Sequence, residues 1–244
     1  QGRIEGELSM ARAIQFDLLL DQPPSVKGLD IAFTCLPAKE LGGDFYDCIP
    51  LENGSWGFLI ADVSGKGVPA ALHMTNMRNL FRIFAPSLSS PLETLKKINA
   101  MAFMDMKTEA FVTLIYIVLD PKTRQASMVN AGHDPAYWLN ENGITPLPST
   151  APPVGLAPPG EYVVFAQEVV LTLSKGDSLF TFTDGVTEAM NPMGEQFSLE
   201  RLKLSLAKGG NPDESMRRLL AAVTGHAAGR EQRDDITMLT VKVA

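Results

Sequence analysis

The chain has 244 residues, 45% of them hydrophobic, with a formal net charge of -7 and a pI near 5.0. Such a chain can bury one sizeable core with a short appendage, and its acidic balance and scattered Lys and Arg exclude a basic stripe, so no nucleic-acid partner is expected. Cys35 and Cys48 lack the spacing of a redox motif or zinc knuckle, which points to a reducing compartment without a structural disulfide.

At the amino terminus Ile4, Ala11 and Leu18 recur seven apart, with Leu8 and Ile14 between them, among Arg3, Glu5, Glu7, Arg12 and Asp17. This spacing predicts an amphipathic helix that stops before Pro23-Pro24. It either packs on its own domain or serves as a linker or dimerisation helix, and it is too short to establish a coiled coil. Residues 1–22 are therefore set apart from a domain of residues 23–244.

Strands are expected near 29–35, 45–50 and 56–62, the last two joined at the Asn53-Gly54 turn. A helix follows Gly67 and runs to about Ala85, with Leu72, Leu80 and Phe84 as core positions. A second opens at Ser90-Pro91-Leu92-Glu93, with an N-cap serine, a proline in the first turn and a capping glutamate.

Residues 110–119 and 124–130 read as a hairpin around Asp120-Pro121-Lys122, and 135–139 as a strand before the Asn142-Gly143 turn. The proline-rich stretch 144–160 reads as an ordered surface loop, and 162–171 and 178–183 as strands. Helices near 198–208 and 212–226 follow, the second opened by an Asn211-Pro212-Asp213-Glu214 capping box, and a strand over 235–243 ends the series. Strands in hairpins and helices in consecutive pairs predict an α+β fold of antiparallel sheets faced by helical layers. The longest apolar run, near 111–119, is too short to span a bilayer, and the amino terminus lacks a signal pattern. The expectation is a cytoplasmic chain, with an upstream membrane segment in a longer parent left open.

Acidic residues stand at the ends of predicted strands beside glycine or small residues: Gly42-Gly43-Asp44, Ala61-Asp62-Val63-Ser64-Gly65, Thr183-Asp184-Gly185 and Arg233-Asp234-Asp235. Any one of these is usually just a turn. If the four corners converged, carboxylates ~4 Å apart would repel by roughly 4 kcal/mol at an effective dielectric near 20, and a cation would have to sit between them. Oxygen ligands without a His or Cys cluster favour hard ions such as Mg²⁺ or Mn²⁺.

The ordered strings GGDFYD (42–47), ADVSGKG (61–67), NAGH (130–133), TDGVTEA (183–189) and RDDIT (233–237) resemble the PPM family of metal-dependent protein serine/threonine phosphatases, in its bacterial SpoIIE-like branch. The likeness covers nearly the whole chain, including the leading ELSMARAIQ segment. It implies two stacked antiparallel sheets flanked by helices, with a centre for two divalent cations, Mn²⁺ or Mg²⁺, at one edge. By motif, Asp62 would bridge both cations, Asp44 and the main-chain carbonyl of Val63 would complete one site, and Asp184 and Asp234 the other.

Asp235 takes a supporting role in this scheme, and Asp47 and Glu188 a structural or outer one. Gly43, Gly65 and Gly185 would allow close backbone approach to the metals. His133 is either a hydrogen-bonding strut or a proton donor, and Lys39 and Lys66 are either ordinary surface lysines or attractors of a phosphoryl group.

The resemblance further implies a phosphoserine or phosphothreonine substrate on a signalling protein, a STAS-type anti-sigma-factor antagonist, with an upstream sensory domain in the parent protein and a homodimer through the leading helix. A cysteine-phosphate route fits badly, because Leu41 and Gly54 stand where a cysteine-loop arginine would follow Cys35 and Cys48. The competing readings are a catalytically silent interaction module of the same fold and a nucleotide phosphodiesterase, for which no base-recognition motif is present.

Overall fold

The computed structural model describes residues 2–106 and 110–244, with side chains from residue 6 onward. Helix α1 spans Gly2–Leu18 and leads into strands β1 (Leu29–Leu36), β2 (Phe45–Pro50) and β3 (Trp56–Val63). Helices α2 (Val68–Phe84) and α3 (Pro91–Asp105) follow, then β4 (Val112–Leu119), β5 (Gln125–Ala131), β6 (Ala136–Asn140) and β7 (Gly143–Leu147). Helix α4 (Pro159–Phe165), β8 (Val169–Thr172), β9 (Ser178–Phe182), α5 (Ser198–Leu206), α6 (Pro212–Ala227) and β10 (Ile236–Val243) complete the order.

Two five-stranded sheets result, in the orders β1-β10-β9-β6-β7 and β2-β3-β4-β5-β8, with every strand pair antiparallel. The two-residue side-chain period explains their stacking. On β3, Phe58 and Ile60 face the other sheet and meet Leu29, Leu239 and Val241, while Leu59, Ala61 and Val63 face outward onto Met74, Phe81 and Ile98 of α2 and α3. Strand β3 is buried on both faces and so reads as a continuous apolar run. Phe180, Phe182 and Met238 on the outer face of the other sheet pack against Leu202, Leu219 and Val223 of α5 and α6. The layering is α-β-β-α, the α+β sandwich expected.

Three local expectations are corrected. The stretch expected as a strand over 162–171 divides into α4 and the short β8, because Pro159 occupies the first turn of a helix whose Tyr162 is wholly buried in the α2–α3 layer. The aliphatic run of Tyr162, Val163, Val164 and Phe165 resembles a strand only in composition. The expected loop over 144–160 contains most of β7, which pairs with β6 across a two-residue turn at Glu141 and Asn142. Leu72, assigned to the core, is 67% exposed on the outer side of α2, whereas Leu80 is buried and Phe84 packs against the core.

Helix starts follow the local signals. Asn211 and Glu214 form the reciprocal capping box at α6. At α3, Ser90 Oγ accepts from Glu93 N–H at 3.2 Å, but the Glu93 carboxylate reaches forward to Lys96 Nζ at 2.8 Å instead of back to the cap. The amphipathic face expected on α1 is only partly realised. Leu8, Ala11 and Leu18 are half-buried, Ile14 is exposed, Ile4 lies outside the described side chains, and among the described side chains of the helix the buried one is Gln15. Among the described residues no helix is long and apolar enough to cross a membrane.

Candidate metal centre

Antiparallel pairing fixes where the aspartates fall. Phe45 pairs with Ala61, so the start of β2 lies beside the end of β3, and Phe182 pairs with Met238, so the end of β9 lies beside the start of β10. Stacking of the sheets then brings Asp44, Asp62, Asp184 and Asp234 to one edge of the sandwich. Asp62 feels the charges of Asp184, Asp234 and Asp235 and shares a hydrogen bond with Asp44. The four corners therefore converge.

The cluster is costly to charge. Burial, then the neighbouring charges of Asp184, Asp234 and Asp235, pushes Asp62 up to about 7. Asp184 rises to about 6, from burial and then the charges of Asp234, Glu188 and Asp134. Asp44 is 5% exposed, and its carboxyl is raised by burial and by Asp62, against the lowering effect of the Thr183 hydroxyl, which donates to Asp44 Oδ2 at 2.6 Å. Asp234 is the outermost member, paired with Lys66 Nζ at 2.6 Å.

Two residues hold the Asp44 loop in place. Asp235 Oδ2 accepts from Gly43 N–H at 3.0 Å and Asp44 N–H at 3.4 Å, and its Oδ1 accepts from Ala38 N–H at 2.8 Å. Its carboxylate thus ties the start of β10 to the approach to β2, the supporting role expected of it. Gln15 of α1 clamps Gly42 from the other side.

Sequence reading missed Gln15 and Thr183. Thr183 directly precedes Asp184, and its hydroxyl both donates to Asp44 and accepts Thr237 N–H at 3.0 Å. No periodicity singles out a threonine for that task.

At two of the glycines Gly43, Gly65 and Gly185 a side chain would collide with neighbouring backbone. A Cβ on Gly185 would lie 1.9 Å from the Asp235 carbonyl oxygen, and one on Gly43 2.9 Å from Val63 O. Gly65 instead faces open space and is needed for its φ of +96°.

His133 is a strut. Its Nε2 faces the Phe182 carbonyl at 2.9 Å and must carry the proton, so Nδ1 accepts from Thr113 Oγ1 at 2.9 Å, and burial lowers its pKa to about 4. Asp47 is buried away from the cluster in a two-pronged pair with Arg82, whose Nε lies 2.6 Å from Oδ2. Glu188 borders an open cleft of about 420 Å³ with Asp62, Ser64, Asp134 and Asp184. Lys39 is exposed beside a narrower crevice lined by Asp62, Asp234 and Asp235.

The donors suit a hard cation, being carboxylates with no His or Cys among them, and a positive charge beside Asp44, Asp62 and Asp184 would offset the burial and mutual repulsion that raise their carboxyls. Among the described residues, no three His, Cys, Asp or Glu side chains stand in a finished cage. Asp44 turns to Thr183 and Asp234 to Lys66.

Residues 52–244 match the family described as Stage II sporulation protein E (SpoIIE). Phosphoserine phosphatase RsbU of Bacillus subtilis (strain 168) is 30% identical over 206 residues, covering 83% of this chain and 60% of that protein. Protein IcfG of Synechocystis sp. (strain ATCC 27184 / PCC 6803 / Kazusa) is 31% identical over 264 residues, covering 96% of this chain and 41% of that protein. The chain thus spans less than two thirds of these relatives. The SiaA-PP2C domain of Pseudomonas aeruginosa superposes with a TM-score of 0.85 at 21% identity, covering 100% of this chain and 98% of that one. The chain belongs to the SpoIIE family and is built on the PP2C-type phosphatase fold.

Proposed function

We propose that this chain is the phosphatase domain of a metal-dependent protein serine/threonine phosphatase, hydrolysing phosphoserine or phosphothreonine on a signalling protein. The observation that carries the reading is the convergence of Asp44, Asp62, Asp184 and Asp234 from four separated segments onto one edge, with the Asp62 carboxyl pushed up to about 7 by burial and its acidic neighbours. Carboxylates perturbed in this way cluster at functional sites. The name phosphoserine phosphatase carried by RsbU agrees with this reading.

In this scheme Asp62, Asp44, the Val63 carbonyl, Asp184 and Asp234 would together hold two divalent cations, Mn²⁺ or Mg²⁺. Bound there, such ions would supply an acidified water and would stabilise negative charge on the phosphoryl oxygens. The chain does the positioning. Asp235 and Gln15 fix the Asp44 loop, His133 stays neutral and braces β4 against the end of β9, and the open cleft beside Asp62 and Asp184 admits a phosphorylated side chain.

The SpoIIE-like resemblance points to a STAS-type anti-sigma-factor antagonist as substrate. It also points to α1, within residues 1–22, as the linker to an upstream sensory domain and a possible dimer contact. The test is phosphate release from a phosphoserine STAS-type protein, an aryl phosphate and a cyclic nucleotide, with and without Mn²⁺. Mn²⁺-stimulated release from the phosphoprotein is the expected result. Cleavage of the cyclic nucleotide alone would replace the reading with a phosphodiesterase, and no stimulated release from any substrate would leave a silent interaction module.

A further inference from the structure

Lys66 lies in the turn between β3 and α2, four residues after Asp62, where Gly65 and Gly67 have φ of +96° and +72°. That turn projects the side chain across to the start of β10. Its Nζ donates to Asp234 Oδ2 at 2.6 Å and to the Arg233 carbonyl at 3.1 Å, so two of its three N–H bonds go to one short segment of the carboxylate edge.

The two side chains are 51% and 39% exposed. An ion pair so open to solvent contributes little to folding, and stability does not account for its placement. What distinguishes it is its acceptor, the one member of the acidic cluster with an ammonium partner among the described residues. The Lys66 ammonium already occupies Oδ2 of that carboxylate.

We infer that Lys66 is a built-in counter-ion for Asp234 that competes with a divalent cation for the same carboxylate, so that ion loading at the Asp184–Asp234 side requires displacement of the lysine. The inference rests on the two-cation reading above and adds a residue that sets its affinity. Lysine suits the task, because its ammonium is a compact point charge on a flexible stem that can swing aside into water.

The experiment is Mn²⁺ titration of the full chain at pH 7.5 and low salt, by calorimetry and by the EPR signal of free Mn²⁺, with circular dichroism to confirm that each variant is folded. Lys66→Met should tighten the weaker Mn²⁺ site by about ten-fold, because the Asp234 oxygen that the ammonium occupies is freed for the cation. Lys66→Arg, which keeps the charge, should stay within about two-fold of wild type. In an Asp234→Asn background, Lys66→Met should change nothing, since the shared carboxylate is gone.

An unchanged or weakened affinity in both Lys66→Met and a second neutral variant, Lys66→Gln, would overturn the competition while leaving the cation centre intact. A ten-fold gain that persists in the Asp234→Asn background would also overturn it. Absence of Mn²⁺ binding by the wild-type chain would remove the two-cation reading, and this inference with it.

Discussion

The Gln15 carboxamide closes a two-bond ring on the Gly42 peptide: Nε2 donates to Gly42 O at 2.7 Å, and Gly42 N–H donates to Oε1 at 3.1 Å. The leading helix is thereby fastened to the loop that carries Asp44, two residues further on. Gln15→Ala should cost about 1–2 kcal/mol of stability through unpaired buried peptide groups and weaken Mn²⁺ binding several-fold. Deleting residues 1–20 should reproduce the loss of affinity. Calorimetric Mn²⁺ affinities equal to wild type in both proteins would show that the clamp does not position Asp44.

Asp62 is charged at a cost to the fold. A carboxyl raised from its ordinary 3.8 to about 7 binds its proton more tightly in the folded state than in the unfolded one. Between about pH 4 and 7 the folded protein therefore holds more protons, and this group's contribution to stability falls as pH rises through that window. In chelator, Asp62→Asn should be more stable than wild type by on the order of 2 kcal/mol at pH 8, with the gap shrinking towards pH 4. The comparison with wild type cancels His133, whose depressed pKa acts in the opposite direction. Denaturant titrations at pH 5, 6, 7 and 8 measure the gap, and a pH-independent one would contradict the assigned cause.

The same Asp62→Asn variant should lose Mn²⁺-stimulated phosphate release by at least about a thousand-fold, because a neutral amide is a poor partner for a cation. Gain of stability with loss of turnover is the signature of a functional charge. A fully active variant would remove Asp62 from the site.

Asp235 should behave differently. Its two oxygens accept three backbone N–H groups, so Asp235→Ala leaves buried donors unpaired and should destabilise the protein by about 2–3 kcal/mol with or without cations. A variant as stable as wild type in thermal and denaturant unfolding would show that the Asp44 loop is held by other contacts.

The glycines separate by mechanism. Gly185→Ala would press a Cβ against the Asp235 carbonyl and should cost about 3 kcal/mol or more. Gly65→Ala meets open space and should cost only the left-handed backbone conformation, about 1–2 kcal/mol. Equal denaturation midpoints for the two variants would refute this division.

What the sequence determines by itself is local. The apolar run over 56–63 specifies β3, the Asn53-Gly54 pair specifies a hairpin, and Asn211 with Glu214 specifies the start of α6, because each signal acts between residues a few positions apart. The aspartate corners were legible for the same reason, each being a polar stop to an apolar run. Tyr162 to Phe165 was misread because its composition suits a strand, and only burial of Tyr162 against α3 selects the helix. Leu72 was misplaced because the width of the buried stripe on α2 depends on what covers the helix. Convergence of the acidic corners, the Gln15 clamp and the Lys66 pairing were decided by tertiary structure alone. The Lys66 pairing alone joins residues 168 positions apart, and no local propensity encodes which ends of two stacked sheets lie together.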